Sequence, residues 1–203
     1  MSQRIVVGVT GASGAVYPRR LLEALLEVGA DVHLIVSPLG RAVAAAELGD
    51  GGLDVPAVAG KGRLTPHPHD DLFSPLASGS RPTDGMVICP CSCHTLAAIA
   101  AGLGDNLITR SAHVHLKERR PLLLFVREMP LAQIDLRNML RVSEAGGVIC
   151  PASPPFYGRP KTLDDLVDAT VGRLLDLLGV PNDLAVRWPG PQDPPSPNAG
   201  LDG

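Results

Sequence analysis

Aromatic residues are scarce. They make up 3% of the 203 residues, with one Trp, two Tyr and three Phe. A core with so few rings must be built mostly from Ala, Val, Leu and Ile, which the 45% hydrophobic content allows. Such a core suits parallel strands buried on both faces beneath helices. Basic excess is missing too: 18 Lys and Arg stand against 21 Asp and Glu, for a formal net charge of −3. Nucleic-acid binding needs clustered positive surface, so no such partner is expected. No apolar run approaches the roughly 20 residues that cross a bilayer, and no basic stretch leads into an apolar one as in a signal peptide. No membrane partner is expected either. The four cysteines do not form a disulfide framework, because Cys89, Cys91 and Cys93 crowd at alternate positions and Cys150 stands alone. Reduced thiols and a cytoplasmic location follow. Zinc sites use pairs of ligands two to four residues apart with a second pair elsewhere. Here a continuing strand would put the alternate thiols on one side, and small buried thiols with no metal are expected.

What is present is alternation. Residues 4–10 form a β-branched run that reads as a buried strand. Residues 14–28 follow with a helical apolar stripe, then a strand over 31–37 and an alanine-rich helix over 39–48. Residues 49–82 are dense in Gly, Pro, Asp and Ser and read as an irregular excursion with one short strand near 63–66. Further strands are predicted over 84–89, 121–126 and 147–150, and helices over 96–103, 105–118 and 131–145. Thr162 caps a last helix to residue 178, with Asp164 and Asp165 in its first turn, where the dipole favours negative charge. The predicted fold is α/β: a three-layer, Rossmann- or flavodoxin-like parallel sheet with helices on both faces. One domain is expected over residues 1–188. Residues 189–203, rich in Pro, Gly, Asp and Asn, are expected to be disordered.

Ligands in such sheets sit outside the carboxyl ends of the strands. The first of these turns reads Gly11-Ala12-Ser13-Gly14. It offers close backbone approach and a helix N-terminus to an anion, or it is a tight turn without a ligand. Ser37 either caps a helix or faces the same ligand. Ser92 and Thr95, around Cys93 and His94, pose the same alternative. His67, His69, His113 and His115 read first as loop or surface histidines. Lys117 to Arg120 suit a solvated helix face, whereas Arg127 and Glu128 leave a strand directly into the ligand crevice. Tyr157 is a packing aromatic in a Pro-rich turn or a phenol for chemistry. Arg173 lies about 20° from Leu166, at the edge of an apolar stripe, and so needs a carboxylate or a ligand phosphate as partner.

Five segments together resemble the flavin prenyltransferases of the UbiX type: GVTGASGAVY (8–17), ICPCSCHTLAAIAAGLGDNLITR (88–110), HLKERRPLLLFVREMPL (115–131), FYGRPKTLDDLV (156–167) and VGRLLDLLG (171–179). The resemblance implies an FMN site made from Gly11, Ala12, Ser13, Ser37, Ser92, Cys93, His94, Thr95 and Arg127. It implies a dimethylallyl phosphate site made from Arg110, Lys117, Tyr157 and Arg173, and places Glu47 as an acidic residue near the flavin. It further implies a homododecamer with sites shared between subunits. The implied reaction joins a dimethylallyl group to reduced FMN without a metal, and the prenylated FMN serves a UbiD-type decarboxylase. Lys117, Arg110 and Arg173 would hold the departing phosphate, and Glu128 or that phosphate would take the ring proton. Trp188 would help wall the intermediate cation. Ser13 keeps a possible second role toward the flavin ring, and the Gly-Ala-Ser-Gly turn would grip the FMN phosphate. The family pattern has Met-Lys where this chain has Cys93-His94, Asp in place of His113, and Thr or Ala in place of Met129. Two alternatives remain: a flavin-dependent decarboxylase acting on cysteine peptides, which usually carries a histidine in the first helix region where residues 14–28 have none, and a flavin carrier without turnover.

Overall fold

The computed structural model describes residues 2–49, 51–54, 61–185 and 187–188. The expected disorder of residues 189–203 lies outside them. The strands are β1 (Arg4–Val9), β2 (Asp31–Val36), β3 (Arg63–His67), β4 (Gly85–Cys91), β5 (Leu122–Val126) and β6 (Val148–Pro151). The helices are α1 (Val16–Glu27), α2 (Pro38–Leu48), α3 (Cys93–Ala100), α4 (Leu107–Lys117), α5 (Gln133–Glu144) and α6 (Leu163–Leu177). Among the described residues the six strands all pair in parallel, in the order β3-β2-β1-β4-β5-β6.

That order follows from handedness. Strands β1 to β3 march one way from the centre and β4 to β6 the other. Right-handed crossovers therefore send the crossover helices of the two halves to opposite faces, while α6, which follows the last strand, packs on the face of α1. One face buries Ile5, Val7 and Val9 of β1 and Phe125 of β5 against Leu21, Leu22 and Leu25 of α1 and Val171, Leu174 and Leu175 of α6. The other buries Val6, Ile88 and Leu124 against Leu96 of α3, Ile108 and Ala112 of α4 and Val142 of α5. With few rings to use, the core centres its largest one, Phe125, edge-on to Tyr17 with centroids 5.0 Å apart. The N-terminal half runs away from β1 and the C-terminal half away from β4, so a crevice opens above their carboxyl ends.

Helix starts obey their caps. Ser37 opens α2 by accepting from Gly40 N (3.0 Å), and Thr162 opens α6 with a capping box through Asp165. Ser92 opens α3 at Cys93, three residues before the apolar stripe begins. The short strand expected near 63–66 is present as β3, and its pairing on β2 makes it the sheet's edge, which is why Pro66 fits inside it. One expectation changes: the alternate cysteines do not share one side. A register shift between Ile88 and Cys91 breaks the period of two, so Cys89 packs toward α1 and α6 while Cys91 packs toward α3. Burial pushes both thiols up.

Candidate active site

The crevice is tied across its floor by Thr10. Its N–H (3.2 Å) and hydroxyl (2.8 Å) both donate to Pro90 O, and the same hydroxyl accepts from Ser92 N at 2.8 Å. These bonds stitch the end of β1 to the end of β4. Helix α2 is drawn against the stitch. A Cβ on Gly40 would stand 2.7 Å from Val9 O, and one on Gly11 would stand 2.6 Å from Leu39 Cβ. Gly11 is thus required by helix packing before any ligand is considered.

Beside the stitch lies a cleft of about 350 Å³. Gly11, Ser37, Ser92, His94 and Thr95 line it together with His69 and Asn106. Five of the nine residues implied for FMN are therefore brought to one wall. The starts of α2, α3 and α4 all open on the cleft, and its polar groups are hydroxyls, an amide and two imidazoles. That donor set, with no carboxylate among the lining residues, fits the hydroxylated, phosphorylated arm of FMN.

The turn itself is occupied otherwise. Gly14 holds φ +113, which an L side chain rarely adopts. Helix α1 has Ala15 at its cap position and no side-chain cap of its own. Glu47, from the last turn of α2, supplies one: its carboxylate accepts from Ala15 N (2.7 Å) and Gly14 N (2.9 Å). The two N–H groups expected to meet a phosphate meet this carboxylate. Partial burial pushes the Glu47 carboxyl up, but bonds from Ala15 N, Ser13 and Gly14 N and the charge of Arg127 outweigh it and hold it below the ordinary glutamate value. Arg127 in turn donates from Nε to Ser13 O at 3.1 Å, tying the end of β5 to the same turn. Ala12 is buried beneath it.

Glu128 is exposed at the end of β5 and accepts from Met129 N at 3.1 Å. Its carboxylate and that of Asp135 receive the Cys93 thiol, and burial with these two acids pushes that thiol up to about 11. The residues implied for dimethylallyl phosphate do not converge within one chain. Tyr157 and Arg173 share a second concavity, about 620 Å³, between β6, α6 and Trp188. Trp188 meets Tyr157 edge-on at 5.6 Å. Arg173 takes a carboxylate partner, Asp176, at 3.7 Å, and Asp176 also pairs with Arg187. Arg110 donates from Nε to Ala77 O at 3.0 Å. Lys117 ends α4, some 16 Å of helix beyond the cleft at about 1.5 Å per residue, and pairs with Glu118.

The histidines also differ from expectation. His115 is buried, donating from Nδ1 to Ser111 O (2.8 Å) and accepting at Nε2 from Thr83 Oγ1 (2.9 Å). His67 is half-buried between His33 (2.9 Å) and Ser74 (3.2 Å). Sequence reasoning gave no role to Thr10, His69 or Asn106. The Asn at a cap position was a usable signal; the other two depend on contacts 80 and 38 positions away in the chain, Thr10 with Pro90 and His69 O with Leu107 N. Among the described residues no group of three or more His, Cys, Asp or Glu is placed to hold a metal ion, and no helix is long and apolar enough to cross a membrane.

The flavoprotein family profile matches residues 1–175. Flavin prenyltransferase UbiX of Thermoplasma acidophilum is 48% identical over 185 residues, covering 91% of this chain and 99% of that protein. The UbiX of Salmonella typhimurium is 46% identical over 191 residues, covering 93% and 99%. A UbiX crystal structure in complex with FMN and dimethylallyl pyrophosphate superposes with a TM-score of 0.84 at 41% identity, covering 95% of this chain and 100% of that one. A dodecameric FMN-dependent UbiX-like decarboxylase from Escherichia coli O157:H7 also gives 0.84, at 42% identity and covering 93% and 100%. The peptidyl-cysteine decarboxylase EpiD, 17% identical at a TM-score of 0.56 over 88% and 99%, shares the fold. The class is thus that of the FMN-type flavoproteins with a parallel α/β sheet. Within it, the chain belongs to the UbiX flavin prenyltransferase family.

Two outcomes follow from this geometry. Thr10→Val leaves the part-buried Ser92 N–H without its acceptor and should cost about 1–2 kcal/mol by urea unfolding, with Thr10→Ser close to wild type. Glu47→Gln should cost about 1 kcal/mol at pH 7, a modest figure because the carboxylate is largely exposed. Since the folded carboxyl titrates below its ordinary value, its contribution is complete above about pH 5 and is lost as the pH falls through the folded value. The gap between wild type and Glu47→Gln should therefore close toward pH 3, and a constant gap would show that charge is not what Glu47 contributes.

Proposed function

We propose that the protein transfers a dimethylallyl group from dimethylallyl phosphate to reduced FMN, and that the prenylated FMN passes to a UbiD-type decarboxylase. The observation that supports this most directly is the cleft at the strand-order reversal, furnished with flavin-compatible donors in a chain of this family. Gly11, Ala12, Ser13, Ser37, Ser92, Cys93, His94, Thr95 and Arg127 are the proposed FMN-binding set. When bound, reduced flavin supplies nucleophilic N5 and C6 positions for the allylic carbon.

The chain's own part is electrostatic and acid–base. Breaking an allylic C–O bond without a metal needs fixed cations at the departing phosphate, the role proposed for Arg110, Lys117 and Arg173, with Tyr157 as a hydroxyl donor. Their separation on one chain supports a site completed by neighbouring copies, since the far end of α4 cannot reach its own cleft. A homododecamer, the state named for the E. coli relative, would provide that. Glu128 is the proposed base: its exposed carboxylate would accept the C6 proton released when the carbon–carbon bond forms after the bond to N5. Ser13 in the first turn, and Glu47 bonded to that turn from α2, are proposed to act on the same ligand. A cytoplasmic location goes with the reduced thiols.

The test is an anaerobic mixture of the purified protein, reduced FMN and dimethylallyl phosphate, followed by mass spectrometry of the extracted flavin. A flavin heavier by one prenyl unit is expected. Unmodified FMN from folded, flavin-loaded protein would sink the transferase reading. Glu128→Gln should slow product formation by about 10²–10⁴-fold and leave FMN bound; loss of FMN instead would make Glu128 a structural residue.

A further inference from the structure

We propose that His69 and His94 are the side chains that meet the phosphate of FMN, so that the phosphate itself is held by two imidazoles rather than by a lysine or arginine. The proposal rests on the reading of the cleft as the FMN seat. Of the side chains that line it, those two alone can carry positive charge, since the wall has neither Lys nor Arg. A phosphomonoester carries about −1.5 to −2 at neutral pH, and enclosing it among hydroxyls alone is costly. Both histidines are held for the task. His94 sits in the first turn of α3, directly after Ser92 and Cys93. His69 is fixed through its carbonyl, which accepts Leu107 N at 2.8 Å from the start of α4. Its backbone is held from the other side by His67, which is bonded to His33 and Ser74.

The surrounding charges do not substitute for them. Arg127 is committed to Ser13 O and lies beside Glu47 at the neighbouring turn. Arg41 of α2 lines the groove over β2 and β3 instead. On the acidic side, Asp70 and Asp71 follow His69, and Asp71 Oδ1 accepts Phe73 N at 3.1 Å. Asp105 precedes Asn106 and accepts from Asn106 Nδ2 and Thr109 Oγ1, each at 3.1 Å. Glu128 and Asp135 face Cys93. None of these lines the cleft.

The consequence is read in affinity. FMN should bind at least about tenfold more tightly than riboflavin, which lacks the phosphate, with both dissociation constants measured by flavin fluorescence at fixed ionic strength. Exposed His94 accepts a permanent charge, so His94→Lys should hold or raise the FMN affinity. The double variant His69→Gln/His94→Gln should bind FMN about tenfold or more weakly than wild type and treat riboflavin as the wild type does. If the double variant, folded by circular dichroism, keeps the wild-type FMN affinity, the proposal is overturned. If wild type does not bind FMN, it is the flavin seat that is wrong, and the proposal goes with it.

Discussion

One hydroxyl holds the two halves of this sheet together where it matters. Thr10 Oγ1 donates to Pro90 O and accepts from Ser92 N, so the ends of β1 and β4 cannot part although their chains leave toward opposite faces. Everything that lines the crevice is positioned from that stitch. Ser92 is both its partner and the cap of α3, which carries His94 and Thr95. Gly11 follows it directly, and the missing side chains of Gly11 and Gly40 let α2 bring Ser37 alongside. The cleft is thus a product of connectivity and close packing before any ligand enters it.

Glu47 changes what the glycine-rich turn can do. A helix N-terminus attracts an anion, and in α1 that attraction is already met from within by a carboxylate two elements along the chain. Arg127 stands beside this pair and lowers its net charge toward zero. A phosphate gains less there than at the adjacent cleft, whose imidazoles and helix starts have no internal anion. On the proposed reading, turn and cleft would divide the ligand between them: the turn presents a near-neutral, hydrogen-bonding surface suited to a flavin ring, and the cleft a donor-rich one suited to its arm.

The sequence was most legible where structure is decided locally. Thr162 with Asp165 placed the start of α6 to the residue, and the β-branched run before Gly11 placed β1. It was least legible where partners are distant. No local pattern says that residues 63–67 will pair with β2, because an edge strand half exposed and interrupted by Pro66 carries neither alternation nor a continuous apolar run. The cysteine spacing misled for a similar reason: one bulge in β4 reverses which face each thiol meets. Among site residues, those that cap helices announced themselves as Ser, Thr or Asn before an apolar stripe, whereas Thr10 and His69 matter only through chain segments that folding brings beside them. The Glu47 cap is likewise invisible locally, since Ala15 offers no capping side chain and the acceptor comes from another helix.

The scatter of the residues proposed to bind the prenyl donor and the exposed apolar side chains of α5 would have a common physical resolution. Met129, Ile134, Leu136 and Leu140 each expose half or more of their surface along one stretch of chain, and Phe73 is fully exposed on the loop beyond β3. Leu136 and Leu140 lie one turn apart on the same face of α5, and exposed apolar patches mark contact with another macromolecule. The same stretch begins one residue after Glu128, so a copy docked there would stand beside the carboxylate proposed as base. A cation such as Lys117 arriving from that copy would then enter a partly desolvated site, where its attraction to a departing phosphate is much stronger than on a free surface. The exposed apolar side chains and the distant lysine would then be two parts of one requirement: a charge that in its own chain meets only Glu118 becomes effective on a phosphate only where a neighbour's packing excludes water around it.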